Sequence, residues 1–447
     1  MRRILLAASL LLCCLGGLRA VENYPYRSDY LWVTVPDHAD WTYRAGEEAA
    51  VEVTFLRYGM PQDGTVEYTV GDDLLPDDAS GQAELHGGRA VIHIGTRATP
   101  GFRDLRLRLT LPDARPGSTA TKTYTHHVKL AFSPERIEPF TSEPEDFTAF
   151  WDAAKAEAAK FPLHYTRERY EPYCTETFDT YLVRLDLDRR RHAFYGFLMV
   201  PHEAARDGRR LPVVLTCPGA GVKTIKNVME SRYYADEGCI RLVIDIHGLN
   251  PTLSERDFAD LTAAFNNRAS GYLENRLDSR DHYYMRHVYL GLLRCIDLLT
   301  SLPEWDGRNV IAQGGSQGGA LALVAAGLDP RVTACVANHP ALADMGAASD
   351  PRRTSGYPHF RPEDGTTTPD KVRTMAYYDV VNFARHITAP VYLTWGFNDN
   401  TCPPTTSYAV WNVLSCPKDA LITPINEHWT SADTERGQLD WIKAHLR

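Results

Sequence analysis

A glycine-rich turn between a strand and a helix constrains this chain more than any other feature of the sequence. Residues 314–319 read Gly-Gly-Ser-Gln-Gly-Gly, after an apolar strand pattern at 309–312 and before an apolar helix pattern at 320–326. Glycine tolerates the close packing and strained dihedral angles of such a turn, and the turn lifts its central side chain out of the backbone. We therefore predict that Ser316 is a nucleophile; an ordinary glycine-rich turn is the alternative.

After residue 137, strand and helix patterns alternate along the chain. A helix with one apolar face begins near Pro144. The strand patterns lie near 181–187, 193–200, 213–217, 240–246, 309–312, 332–337, 391–395 and 420–424, and further helix patterns near 225–237, 282–300, 317–326 and 434–445. Nearly continuous apolar strands with helices between them are typical of a mostly parallel sheet that is covered on both faces. We predict an α/β domain over 137–447, in which an irregular segment at 341–386 caps a pocket.

The segment 21–136 has a different pattern, with apolar residues at every second position. The alternating residues are Val51, Val53 and Phe55, then Val66, Tyr68 and Val70, then Leu105, Leu107, Leu109 and Leu111, and finally Val128, Leu130 and Phe132. Period-two alternation with frequent turn signals predicts about seven antiparallel strands and an immunoglobulin-like β-sandwich. Its aromatic residues Trp32, Trp41 and Tyr43 are expected in the core; stacking on sugars is the alternative.

The first twenty residues resemble a secretory signal peptide. Arg2 and Arg3 precede an apolar run at 4–15, and small residues follow as far as Ala20. We therefore expect export, to the periplasm or outside the cell, and no membrane association once the leader is removed. The formal net charge of −9 becomes −12 without the three arginines of this segment, which argues against nucleic acid as a partner.

The cysteines and histidines show no metal-binding spacing. Neither C-x-x-C nor H-E-x-x-H occurs, and the adjacent His126 and His127 are expected to point to opposite faces of a strand. Without Cys13 and Cys14 of the leader, seven of the nine cysteines remain, so at least one thiol is free. A disulfide between Cys402 and Cys416 is left open, and we predict no metal and no cofactor.

A serine nucleophile needs a base and an orienting acid, which follow it in this order in sheets of this kind. Asp399 follows the apolar strand at 391–395, in a loop that Pro403 and Pro404 end. His428 follows the last strand and precedes the last helix. We predict that Ser316, Asp399 and His428 form a catalytic triad.

The negative charge that develops on the substrate oxygen needs two backbone N–H donors. One is expected from Gln317, directly after the nucleophile, and the other from the loop after the strand at 213–217. Pro218 has no N–H group, so we predict Ala220, with Gly219 and Gly221 as alternatives.

These residues resemble the acetyl xylan esterase / cephalosporin C deacetylase family, carbohydrate esterase family seven of the α/β-hydrolase superfamily. The resemblance covers about 137–447 and lies in four motifs. They are Pro144-Glu145-Asp146-Phe147 with Phe150-Trp151, Ser301-Leu302-Pro303-Glu304-Trp305-Asp306, Gly315-Ser316-Gln317-Gly318-Gly319 and Asp399-Asn400-Thr401-Cys402-Pro403-Pro404-Thr405-Thr406. It implies an α/β-hydrolase fold, Ser316, Asp399 and His428 as the triad, removal of O-acetyl groups from sugars, and homo-oligomers.

The chain departs from the family pattern in four places. The usual His-Gly-Tyr-Gly of the first oxyanion loop is Pro218-Gly219-Ala220-Gly221, which removes an aromatic wall of the acyl pocket. The usual Asp-x-Arg-Gly-Gln-Gly is Asp245-Ile246-His247-Gly248-Leu249-Asn250, and Trp429 stands where Glu usually follows the histidine. The N-terminal sandwich is an addition. We expect these changes to affect the substrate and the assembly more than the ester chemistry.

Together these features predict an exported serine esterase that deacetylates xylan or its oligosaccharides through an acyl-enzyme. Its activity is expected to fall below about pH 6.5, where an imidazole base gains a proton. Three alternatives remain: an esterase for feruloyl or glucuronoyl esters, a sugar-binding protein on an inactive hydrolase scaffold, and a peptidase with a β-rich accessory domain.

Overall fold

The computed structural model describes residues 29–447 except 116, 189–191, 223–224, 226–227 and 267–270. The predicted signal peptide at 1–20 lies outside the described residues. Within the described part of the chain, no helix combines the length and the apolar character needed to cross a bilayer.

The N-terminal part is a β-sandwich, as the alternation predicted. Its strands are β1 (Tyr30–Pro36), β2 (Thr42–Tyr43), β3 (Ala49–Arg57), β4 (Met60–Pro61), β5 (Gly64–Asp72), β6 (Asp77–Leu85), β7 (Arg89–Gly95), β8 (Gly101–Pro112) and β9 (Thr121–Phe132). One sheet pairs β3 with β1, β4 and β7, and the other has the order β2-β9-β8-β5-β6. Apolar side chains of both sheets, such as Val53 and Leu107, form one core between them.

The three aromatic residues at issue in this sandwich pack inside it. Trp32 and Tyr43 are 8% and 2% exposed, and Trp41 is half-buried against the same core. The core interpretation is therefore confirmed for Trp32 and Tyr43, and Trp41 packs against the same core with part of its ring exposed. His126 stacks near Trp32, with ring centroids 6.2 Å apart, whereas His127 contacts Asp104 with its Nδ1 at 3.3 Å. The adjacent histidines thus have separate partners, as expected.

The C-terminal part contains one nine-stranded sheet with helices against it. Its strands are β10 (His164–Arg169), β11 (Phe178–Asp186), β12 (Ala193–Pro201), β13 (Leu211–Cys217), β14 (Ile240–Asp245), β15 (Trp305–Gly315), β16 (Ala334–Asn338), β17 (Val391–Trp395) and β18 (Lys418–Ile422). The order is β10-β11-β12-β14-β13-β15-β16-β17-β18. Strands β13 to β18 pair in parallel, and β10 to β12 form an antiparallel edge. This is the mostly parallel sheet that the apolar strands predicted.

Ten helices accompany this sheet among the described residues. They are α1 (Phe147–Ala159), α2 (His202–Ala205), α3 (Tyr233–Asp236), α4 (Glu255–Asn266), α5 (Tyr284–Ser301), α6 (Gln317–Leu328), α7 (Pro369–Tyr378), α8 (Val380–Ala384), α9 (Pro404–Val413) and α10 (Ala432–Ala444). Short 3₁₀ turns occur at Pro134–Arg136, Glu171–Tyr173, Met345–Ser349 and Pro362–Asp364. Helix α6 is apolar along its whole length and buried on nearly all sides between the sheet and α5 and α8.

Two sequence predictions about elements are wrong. Of the helix predicted at 225–237, the described residues contain only the single turn α3; just before it, the main-chain oxygen of Ser231 accepts the buried guanidinium of Arg241 at 2.9 Å. The same carbonyl also accepts the N–H of Tyr234 at 3.4 Å, a bond between residues three apart that is typical of a turn. The segment 341–386 is not irregular either, since it contains α7, α8 and two of the 3₁₀ turns.

Candidate active site

The predicted nucleophile lies at the carboxyl end of β15, in a strained turn. Ser316 has φ 59° and ψ −124°, and α6 begins at the next residue. Its N–H donates to the main-chain oxygen of Asn338 at 3.0 Å, at the end of the neighbouring strand β16. The flanking glycines permit this approach, since a Cβ on Gly319 would lie 2.7 Å from the same oxygen. The backbone therefore presents the Ser316 side chain at the edge of the sheet.

The predicted acid and base are in direct contact at the same edge. Asp399 follows β17 and His428 follows β18, and His428 Nδ1 lies 2.7 Å from Asp399 Oδ2. The other carboxylate oxygen, Oδ1, accepts the N–H groups of Thr401 at 2.7 Å and Cys402 at 2.8 Å. These bonds fix the carboxylate of the fully buried Asp399. His428 is half-buried, and its Nε2 lies on the side of the ring away from Asp399.

Cys402 links the predicted nucleophile to the loop of the predicted acid. Its thiol is buried next to the Ser316 hydroxyl, and its N–H group binds Asp399. Burial raises the pKa of Cys402 well above its ordinary value, and the charge of Asp399 adds to this, while the Ser316 contact acts in the opposite direction. A thiol that stays protonated is a weak nucleophile, so the chemistry favours Ser316 over Cys402. Cys402 and Cys416 are both free thiols, so the disulfide left open between them is not present in the structure.

A second imidazole, which the sequence analysis did not identify, lies beside His428. His339 directly follows β16, and its ring centroid is 4.3 Å from that of His428. Burial lowers the pKa of His339 to about 4, so it is neutral at physiological pH. His339, Asp399 and His428 also offer metal-ligating atoms within 4.8 Å of one another. Because Asp399 and His428 already bind each other, we interpret this group as an acid–base pair with a neutral neighbour.

A tyrosine connects the two segments predicted to form the oxyanion hole. The N–H of Gly221 donates to the hydroxyl of Tyr272 at 3.0 Å, and that hydroxyl donates to Gln317 Oε1 at 2.7 Å. The N–H of Gly221 is therefore engaged, which leaves Ala220 and Gly219 as the candidate donors in this loop. The loop also packs on the start of α6, since a Cβ on Gly318 would lie 2.3 Å from the oxygen of Cys217.

A cavity of about 440 Å³ adjoins this loop. Its walls include Tyr272 on one side and Tyr357, His359 and Phe360 of the predicted capping segment on the other. The capping segment thus contributes to a pocket as predicted, although Arg352 and Arg353 line a separate cavity. Tyr272 supplies an aromatic ring next to Gly221, where the sequence motif lacks the usual tyrosine. The sequence analysis did not identify Tyr272, because this residue comes from a distant segment.

The loop after β14 supports this tyrosine from behind. Asp245 Oδ2 accepts the N–H groups of His247 at 2.9 Å and Leu249 at 3.1 Å, which folds the loop back on itself. The ring of His247 then packs against Tyr272, with centroids 4.7 Å apart. Burial raises the pKa of Asp245 to about 6 and lowers that of His247 to about 4. The altered family motif therefore forms an aromatic support for the predicted oxyanion segment.

Comparison with known proteins identifies the family. The model of the acetyl xylan esterase (AXE1) family matches residues 135–445. The acetyl esterase Axe7A of Xylanibacter ruminicola is 55% identical over 426 residues, which cover 95% of this chain and 93% of that protein. The structure of the acetyl xylan esterase from Paenibacillus sp. R4 is similar with a TM-score of 0.60 at 27% identity, over 70% of this chain and 98% of that one.

A further solved structure supports the fold. Acetyl xylan esterase 1 from Thermoanaerobacterium sp. JW/SL YS485 aligns with a TM-score of 0.59 at 20% identity, over 70% of this chain and 98% of that one. The α/β-hydrolase fold that the motifs implied is thus confirmed, with the sandwich as an addition before it. The chain belongs to the acetyl xylan esterase family and is a carboxylic ester hydrolase.

Proposed function

We propose that this esterase removes O-acetyl groups from xylan or its oligosaccharides, with Ser316, His428 and Asp399 as a catalytic triad. The hydrogen bond between His428 and Asp399, at the sheet edge where Ser316 adopts its strained turn, carries this proposal. The substrate class is inferred from the acetyl xylan esterase family and from the similar proteins, which are an acetyl esterase and an acetyl xylan esterase.

In the acylation step, Ser316 Oγ attacks the acetyl carbonyl while His428 Nε2 takes the hydroxyl proton. Asp399 accepts the Nδ1–H of His428, which holds the imidazole in the required tautomer and stabilises its charged form. The N–H groups of Gln317 and Ala220 bind the oxyanion. His428 then returns the proton to the departing sugar oxygen, and an acetyl group remains on Ser316.

In the deacylation step, water occupies the place of the sugar. His428 removes a proton from this water, which attacks the acetyl-enzyme, and the second tetrahedral intermediate uses the same two N–H donors. Collapse of the intermediate releases acetate and restores the Ser316 hydroxyl. No step requires a metal or a cofactor, because every proton transfer has a named side chain.

Acetate release from acetylated xylo-oligosaccharides and from an aryl acetate, for wild type and Ser316→Ala, tests this function. We expect wild type to act on both substrates and Ser316→Ala to lose at least about 10³-fold in kcat. Ser301→Ala at the end of α5 is the matched control, since it removes a hydroxyl that donates to the main-chain oxygen of Leu298 in its own helix.

Three outcomes would contradict parts of the proposal. Residual turnover by Ser316→Ala near the wild-type rate would exclude the nucleophile. Activity on the aryl acetate and on methyl ferulate, with none on acetylated sugars, would shift the substrate to another ester. Sugar binding without turnover would favour the inactive scaffold.

We also propose export, on the basis of the leader pattern at 1–20. The N-terminal sequence of the protein recovered from its native cells tests it: a start soon after Ala20 is expected. Recovery of the full-length chain from the cytoplasm would contradict export.

A further inference from the structure

A buried lysine of the N-terminal sandwich contacts the loop that carries Asp399. Lys129, near the end of β9, is 0% exposed, and its ammonium donates to the main-chain oxygen of Asp399 at 2.8 Å. The same ammonium lies 2.7 Å from Oδ1 of Asp73, which directly follows β5 and is 1% exposed. Two residues of the sandwich therefore form an ion pair directly behind the proposed catalytic acid.

The backbone of Lys129 extends this contact to the loop of the proposed base. Its N–H donates to Asn398 Oδ1 at 2.9 Å. Asn398 in turn donates from its N–H to the oxygen of Asn426 at 3.1 Å, and from its side-chain amide to the oxygen of Ile425 at 3.3 Å. Asn426 precedes His428 by two residues, so one residue of β9 is connected to both loops of the acid–base pair.

Asp73 fixes the other end of the acid loop. Its Oδ2 accepts the hydroxyl of Thr405 at 2.7 Å and the N–H of Thr405 at 3.3 Å, in the first turn of α9. Its main-chain oxygen accepts the hydroxyl of Thr354 at 2.6 Å, from the capping segment. The loop between β17 and α9 is thus bound to the sandwich both at Asp399 and at Thr405.

A buried ion pair is an expensive way to stabilise a fold, because both charges lose their hydration and apolar residues often replace such a pair without loss. Lys129 does more than pair with Asp73, since it also donates to a main-chain oxygen of the proposed triad, which an apolar side chain cannot do. The charge of Asp73 keeps the ammonium in place for that donation. The arrangement therefore favours orientation of the acid loop over stability alone.

We propose that Lys129, held by Asp73, is a positioning residue of the active site, which keeps Asp399 oriented towards His428. The proposal rests on the proposed function, because Lys129 acts through the triad. Both residues precede the segment that the family shares, which begins at residue 135. The sandwich is then not an independent accessory module but a part that completes the acid–base pair.

The test compares the wild-type full chain with four variants of it. They are Lys129→Met, Asp73→Asn, the double variant that combines these two changes, and Val53→Ala. Methionine keeps the length of the side chain and removes the charge, and the double variant also removes the buried carboxylate that Lys129→Met leaves unpaired. Val53 is fully buried in the sandwich core and touches neither loop, so its truncation destabilises the same domain without altering the contact.

We expect Lys129→Met to lower both the melting temperature and kcat for an aryl acetate, the latter by about 10- to 100-fold, with KM nearly unchanged. The double variant should regain melting temperature but not kcat. Val53→Ala should lose melting temperature and keep kcat. In proton NMR spectra, the strongly downfield signal of the His428–Asp399 hydrogen bond should weaken in the double variant and persist in Val53→Ala.

Recovery of kcat together with melting temperature in the double variant would overturn the proposal, and so would an equal loss of kcat in Val53→Ala. Ser316→Ala, assayed in parallel, separates this inference from the proposed function. If Ser316→Ala is inactive while the double variant has wild-type kcat, only the role of Lys129 fails. If Ser316→Ala remains active, the triad itself fails.

Discussion

Ser316 holds a backbone conformation that few residues other than glycine adopt, at a cost of about 1–3 kcal/mol. Three main-chain hydrogen bonds hold it there. Its N–H donates to Asn338, and its oxygen accepts the N–H groups of Ala320 at 3.0 Å and Ala341 at 3.1 Å. These hydrogen bonds, to the end of β16, to α6 and to the loop after β16, offset the strain. The strained turn makes the Ser316 hydroxyl project from the edge of the sheet.

A second residue-scale feature is the number of histidines that burial keeps neutral. Burial lowers the pKa of four of them to about 4: His126, His247, His287 and His339. An unfolded histidine takes up a proton near pH 6.5, whereas these do so only near pH 4 in the folded chain. Each therefore contributes stability that is complete above pH 6.5 and is lost as the pH falls towards 4. Asp245, with its pKa raised to about 6, opposes this trend.

His126→Phe tests this acid sensitivity at a histidine that is not a member of the proposed triad. The ring can keep its packing against Trp32, while the group that must stay unprotonated is removed. Because the pKa of His126 is lowered in the folded chain, this histidine reduces the free energy of unfolding of wild type by about 2 kcal/mol when the pH falls from 7.5 to 5. The melting temperature of the variant should therefore drop less than that of wild type between these two pH values. An equal drop in both proteins would contradict the assignment.

At the scale of elements, the turn between β15 and α6 depends on some of its glycines and not on others. A Cβ on Gly318 would lie 2.3 Å from the oxygen of Cys217, at the start of the predicted oxyanion loop. A Cβ on Gly315 would meet nothing closer than 3.6 Å, which is ordinary van der Waals contact. Gly315 and Gly318 are three residues apart, and they differ in the space available for a Cβ atom.

Gly318→Ala and Gly315→Ala are therefore a matched pair. We expect Gly318→Ala to displace the oxyanion loop and to lose at least about 10²-fold in kcat, since a shift of about 1 Å in an active site has that effect. Gly315→Ala should keep kcat within about threefold and a melting temperature close to wild type. Kinetics on an aryl acetate and thermal unfolding measure both; equal behaviour of the two variants would contradict the contact argument.

The sequence predicts the elements whose pattern is local. Strand β17 has the predicted bounds, because its apolar run is continuous and ends at turn residues. Helix α9 was missed, because Pro403 and Pro404 suggest an end to regular structure although proline also suits the first turn of a helix. Of the helix predicted at 225–237, the described residues form only α3, next to a carbonyl that accepts Arg241, a residue outside the segment.

The same distinction applies to the candidate site. Asp399 and His428 could be predicted to meet, since parallel strands bring their following loops to one edge. Tyr272, His339 and Lys129 could not, because nothing near them in sequence marks them. Lys129 and Asp399 are 270 positions apart, and Tyr272 and Gln317 are 45 apart. Their roles depend on packing between segments that no local pattern relates.

At the scale of the whole molecule, the sandwich and the α/β part share packed surfaces as well as polar contacts. Phe102 and Ala131 of the sandwich belong to the main core of the α/β part. The ring of Phe102 lies 5.0 Å from that of Phe397, in the loop of the proposed acid. Removal of the sandwich would therefore expose apolar surface beside the active site as well as remove Lys129.

The thiols of the whole chain give a further prediction, because a protein proposed to be exported would often contain disulfides. All seven described cysteines are free, and five of them are buried: Cys217, Cys239, Cys295, Cys335 and Cys402. Only Cys174 and Cys416 are partly exposed. Burial protects a thiol from reagents both by blocking access and by keeping it protonated.

A thiol-reactive chromogenic reagent should therefore label two cysteines in the native protein and seven after denaturation, if the leader with Cys13 and Cys14 has been removed. Burial raises the pKa of Cys416, which should slow the labelling of this thiol. The double variant Cys174→Ser/Cys416→Ser should show almost no native labelling. A reductant should leave the melting temperature of wild type unchanged, whereas a fall of several degrees would reveal a disulfide that stabilises the fold.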